Sequence, residues 1–176
     1  MGQHRRRTSS QQHQKRGRQH QTFLPDPKVQ VLRDDTLELK IINSADAYGK
    51  IPLVRIVIKE HILWQGDHPI ATGVQKVNFI VDAAYEVIPL HQGFADAMNQ
   101  IASRGFNKRE VNSVQSIMGK AFAPFGFAEG QTFAEYDLIY VYDTMLFWGA
   151  RNVEGRSFDT EENSPTNLQI PLVRQT

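Results

Sequence analysis

From Val29 to Leu90 the chain alternates apolar and polar side chains, the period of half-buried β-strands. Strands are predicted over 29–32 and 36–42, on either side of a tight turn at Arg33-Asp34-Asp35. A loop over Asn43–Lys50 leads into a long β-branched run, 51–64. There Val54, Ile56, Ile58 and Ile62 share one face, and Arg55, Lys59 and His61 share the other with Leu53, Val57 and Leu63. Gln65–Pro69 reads as a turn, and 73–81 and 85–90 as two further strands.

The period then changes. Phe94, Ala97, Met98, Ile101 and Ala102 fall at helical spacing, so a helix is predicted over about 94–104, with Gly105 as its stop. Asn107 and Glu110 resemble a capping box. Val111, Val114, Ile117, Met118, Ala121 and Phe122 continue an apolar stripe, which predicts a second helix over about 108–122. Past a Gly-rich aromatic loop, alternation returns in Glu135–Trp148 and predicts strands over 135–142 and 144–148. A last strand, 168–173, is confined to an edge or bulge by Pro171.

Together these elements predict an α+β fold. A β-rich antiparallel sheet is packed by a two-helix hairpin, within a single globular domain 22–176 whose segment 149–176 is irregular. The alternative arrangement is a two-sheet β-sandwich with the helices as an insertion. Thirty helical residues are a large share for a compact sandwich, which favours the first arrangement.

Charge changes the picture. Residues 1–21 contain Arg5, Arg6, Arg7, Lys15, Arg16 and Arg18, six Gln and three His, with no Asp or Glu. A stretch whose only large apolar side chain is Met1 cannot offset the entropy of ordering its backbone, so a disordered cationic arm is expected. The whole chain has 20 basic and 19 acidic residues; removing the arm's six leaves 14 against 19, a body of about −5 on an arm of +6. The arm's composition resembles the cationic arms of small viral coat proteins, over residues 1–21 and with no matching motif in the body.

Composition also excludes several classes. With no cysteine, disulfides, thiolate zinc sites and cysteine nucleophiles are ruled out. No apolar run reaches the ~20 residues of a membrane helix, and the basic start has no apolar segment of a secretory signal. It also lacks the apolar face of a transit peptide, and Arg6 stands where N-myristoylation needs Ser or Thr. These absences leave cytoplasm, nucleus or virion open.

The candidate chemistry is mainly electrostatic. Arg5, Arg6, Arg7, Lys15, Arg16 and Arg18 are the candidate nucleic-acid ligands, since cations on a flexible arm neutralise phosphates and release counterions. Lys108 and Arg109 are weaker candidates, on the second predicted helix; bulky Ile101 and polar Gln100 argue against a helix-turn-helix there. Phosphorylation within Arg6-Arg7-Thr8-Ser9-Ser10 would add negative charge and weaken phosphate binding, which Ser9→Asp, Ser10→Asp would mimic.

Glu60, His61, Asp67 and His68 have metal-ligating and acid–base side chains. Their adjacency puts members of each pair on opposite strand faces, so no metal site, cofactor or catalytic residue is assigned. Asp137 and Asp143 could join them or His91 in space. Asp143 is unusual in an apolar strand, and the aromatics between Phe122 and Trp148 offer either base-stacking platforms or core. No phosphate loop or nucleophile elbow is present.

These residues lead to the expectation of a non-enzymatic, nucleic-acid-associating structural or accessory protein, coat-like or packaging, binding RNA or DNA through its arm. Its body would self-associate or take another partner, with no membrane involvement. The alternative is a soluble protein–protein interaction module whose arm is an address or a solubilising tail.

Overall fold

The computed structural model describes residues 25–32, 34–69, 71–102, 104–151 and 157–174. The basic arm, including all six of its cations, lies outside them. Eight strands form one antiparallel sheet, curled into a half-barrel: β1 (Pro25–Val31), β2 (Thr36–Ser44), β3 (Pro52–Asp67), β4 (Gln75–Pro89), β5 (Gln115–Ser116), β6 (Phe133–Tyr142), β7 (Met145–Trp148) and β8 (Leu172–Val173). The order is β1-β2-β3-β4-β6-β7-β8, with β5 also on β4. One helix, α1 (Gln92–Ile101), packs on the inner face. The described strands make a single sheet, so the two-sheet sandwich does not form.

Alternation dictates the two faces. Val54, Ile56 and Ile58 on β3 point inward with Val81 and Val87 of β4, and Met98 and Ala102 of the helical segment close over them with Ile117 and Phe122. Farther along the same face, Leu37, Ile62, Val77, Phe79 and Ile139 form a second apolar cluster. The sheet curls where β3 and β4 fall out of step. Lys59 pairs with Ala84 but His61 pairs with Ile80, leaving Glu60 opposite an expanded stretch of β4. Because the register slips there by an even number of residues, inward side chains stay inward on both sides of the bulge.

Two turns rely on left-handed aspartates, a conformation that Asp tolerates better than most side chains. Asp34 and Asp35 (φ 60° and 53°) turn β1 into β2, as the tight turn predicted there requires. Asp143 (φ 53°) turns β6 into β7, which explains the carboxylate inside the apolar run: it sits at a hairpin tip, where it is exposed.

The second predicted helix is absent. His91 caps α1 through Nδ1, which accepts from Gly93 N–H at 3.1 Å, and the helix ends at Ile101. Residues 107–122 then run as irregular chain. The upper half of β4 has no β6 partner, because β6 pairs only with Gln75–Val81. The segment fills that vacant edge instead: Gln115 and Ser116 pair with Val87 and Glu86, Ile117 N–H donates to Tyr85 O, and Asn112 N–H donates to Pro89 O. Saturating exposed strand groups outweighs a helix built from poor formers, Asn, Ser and Val among them. The apolar stripe is split accordingly. Ile117 and Phe122 are buried, whereas Val111 and Val114 face solvent. Glu110 bonds Ser113 through N–H and C=O rather than closing a capping box.

The predicted strands 73–81 and 85–90 prove to be one bulged strand, β4. After β7 most of the described residues lie outside helices and strands, although Phe158 is fully buried and Tyr136 N–H donates to its carbonyl. Among the described residues no helix is long and apolar enough to cross a membrane.

Candidate functional site

The sequence cluster Glu60, His61, Asp67 and His68 is dispersed by strand alternation. Glu60 points inward and His61 outward, and Asp67 accepts from Gln75 at the strand end. Among the described residues no group of three His, Asp or Glu side chains is arranged to hold a metal ion.

Two acidic assemblies form in its place. On the outer face His61 Nδ1 lies 2.7 and 2.8 Å from the two carboxylate oxygens of Asp82, across the β3–β4 ladder. Asp34 and Asp35 line the same shallow groove, and Trp64 Nε1 donates to Asp35 Oδ1 at 3.0 Å, tying the β1–β2 turn to the end of β3. The groove is open to water and holds an imidazole and carboxylates but no hydroxyl or thiol nucleophile.

The second assembly is on the inner face. Glu60 is only 6% exposed, and Glu135 and Asp137 lie on the same face of the sheet, on β6 beyond β4. Asp137 Oδ1 accepts N–H bonds from Leu138 and Gly149, and Glu135 pairs with Arg151 at 3.1 Å. No donor among the described residues hydrogen-bonds Glu60. Burial, then repulsion from Glu135, Asp137 and Asp82, pushes its pKa up to about 8. Burial raises Asp137 to about 7 despite its two backbone donors and the opposing pull of Arg151. The neighbouring Tyr85 hydroxyl is also pushed up, by burial and then by Glu135 and Glu60. Glu60 was legible as an inward residue, since it shares parity with Ile58 and Ile62. Its meeting with β6 needed the strand order.

The weaker cationic candidates separate. Lys108 is exposed, but Arg109 is 1% exposed, so it is unavailable as a phosphate ligand. Its Nη1 donates to Ala102 O at 2.6 Å and Met98 O at 3.4 Å, the carbonyl end of α1, where a cation is favoured. Its guanidinium stacks over Phe106 at 4.4 Å and lies 5.5 Å from the Phe122 ring centroid. Asn99 holds the Arg109 backbone by both N–H and C=O. Sequence reasoning missed this buried cation; the flanking Phe106 and Phe122 were the available signal.

The aromatics divide as well. Phe122, Phe125, Phe127 and Phe133 pack with Tyr85 in or beside the first apolar cluster. Tyr140 and Tyr142 stack near-parallel, rings 6.3 Å apart, toward the β6–β7 tip. No protein-family model matches the chain, and no curated protein matches it.

Proposed function

We propose that this protein associates with nucleic acid as a structural or accessory protein and holds RNA or DNA electrostatically through Arg5, Arg6, Arg7, Lys15, Arg16 and Arg18. The observation that carries this reading is charge segregation: six cations and no acid in residues 1–21, against a body of about −5. Arginine forks match phosphate oxygens, and Gln and His add hydrogen-bond donors.

The body supports the division of labour. Its outer groove presents Asp34, Asp35 and Asp82, which repel a polyanion, while its buried Arg109 contributes no phosphate contact. Polyanion is thereby directed to the arm, and the body is left for self-association or a further partner. Such binding fixes no base sequence, because contacts to phosphates carry no sequence information.

Replacing the six arm cations by glutamine is expected to weaken binding to a fluorescent single-stranded RNA by about a hundredfold or more at low salt. Lys108→Gln should change it less than about threefold. Unchanged affinity in the six-fold variant would refute the proposal and leave the arm as an address or solubilising tail on an interaction module.

A further inference from the structure

Two surfaces of the body carry opposite charge together with exposed apolar side chains. The acidic one is the outer groove, where Asp34, Asp35 and Asp82 are exposed around His61 and Leu63. Trp64, 50% exposed, is tied to its rim through Asp35. The basic one follows α1. Asn99 holds the backbone of Arg109 and Ser113 closes a turn on Glu110, which gathers the loop at the end of the helix. Arg104 and Lys108 are exposed in this loop, as are Ile101, Val111 and Val114, and Lys120 Nζ lies 5.0 Å from the Phe106 ring centroid. None of these three cations pairs with a carboxylate among the described residues, and the charge of Arg109 lies beneath them. Over 104–120 the only acid is Glu110, in a body of about −5.

The two surfaces do not meet within one chain. Asn112 N–H donates to Pro89 O, so the basic loop sits at the end of β4 that pairs with Val54. The groove is centred on His61 and Asp82, and His61 is seven residues along β3 from Val54, about 20 Å. The helix that carries the loop packs on the inner face of the sheet, and the groove opens on the outer face. Setting either surface against its own copy would bring like charges together. We propose that a second copy of this chain docks head to tail, with the basic loop after α1 seated in the outer groove of the next copy. Arg104 and Lys108 then face Asp34, Asp35 and Asp82, and Ile101, Val111 and Val114 cover Leu63 and Trp64. Such a contact leaves one surface of each kind open at its ends, so it extends into chains or closes into rings larger than a dimer. It gives a geometry to self-association of the body and does not depend on what the arm binds.

Sedimentation velocity of the full-length, nuclease-treated protein over a concentration series tests this. At low salt the weight-average mass should rise past that of a dimer, and association should weaken as salt increases. Arg104→Glu with Lys108→Glu, and separately Asp34→Asn with Asp82→Lys, should each weaken association about tenfold or more. Asparagine retains the left-handed turn at Asp34. Each variant keeps one intact surface, so an equimolar mixture should form a one-to-one dimer and go no further. All of these chains keep the arm, so association that survives the loop substitutions would come from the arm and would overturn the proposal. A wild-type protein that stays monomeric, stops at a dimer or associates independently of salt would do the same, as would a mixture that stays dissociated. Should a variant fail to fold, zero-length carbodiimide cross-linking of the wild-type multimer decides. Links from Lys108 to Asp34, Asp35 or Asp82 support the contact, since the separation within one chain is too great for them. Links that leave Lys108 out overturn it.

Discussion

Gly149→Ala is expected to destabilise the protein by about 3 kcal/mol and to lower its melting temperature by about 6–12 °C. Gly149 follows β7 and forms an antiparallel bridge with Leu168, where the C-terminal segment pairs alongside the sheet edge. Its N–H donates to both Leu138 O and Asp137 Oδ1. A Cβ added there would overlap Asp137 Oδ1 and the Pro165 ring, with Pro165 Cβ only 2.6 Å away. Neither neighbour gives way cheaply. Pro165 is a buried ring, and moving Asp137 breaks the hydrogen bonds that offset its burial. Thermal unfolding of Gly149→Ala beside Gly93→Ala provides the measurement. At Gly93 a Cβ would meet only His91 ring atoms at 3.3 and 3.4 Å, inside a helix where alanine is the better former, so little change is expected. Equal melting temperatures for the two variants would rule out the tight seat at Gly149.

Arg109 gives the second large effect, and its size depends on what replaces it. Arg109→Ala should cost about 3–4 kcal/mol, because it empties the space between Phe106 and Phe122 and strips a donor from the Ala102 and Met98 carbonyls. Arg109→Met should cost less than about half of that. Methionine refills the slot with a flexible apolar chain, and it removes a charge that no carboxylate among the described residues neutralises. Its Nε and Nη2 atoms are also buried without hydrogen-bond partners among those residues, so truncation wastes few bonds. Urea unfolding of both variants compares the terms. Equal losses would mean that the carbonyl cap, rather than filled volume, dominates.

The parts of the fold legible in the sequence were those where one local rule acts alone. Alternation in 36–42 and 51–64 located β2 and β3, and helical spacing from Phe94 to Ala102 located α1. The region 108–122 was misread because its apolar spacing also suits a chain that buries Ile117 and Phe122 separately. The deciding term is the vacant upper edge of β4, a long-range fact absent from local sequence. The strands predicted over 73–81 and 85–90 are one strand, and the gap between them falls at the bulge of β4. Glu60 could be assigned to the inner face by parity, whereas its sharing that face with Glu135 and Asp137 depends on β6 lying beside β4. For the arm, charge alone motivated the functional reading, and residues 1–24 lie outside the described structure.

The most direct measurement compares the full chain with a chain beginning at Thr22, for binding to a fluorescent 30-nucleotide RNA and a duplex DNA across a salt series. Six arm cations predict log–log salt slopes of about −4 on the single strand and about −5 on the duplex. Truncation should abolish both the affinity and the slope. A truncated chain that binds as tightly as the full one, with the same salt dependence, would contradict the account and place the nucleic-acid contact on the body.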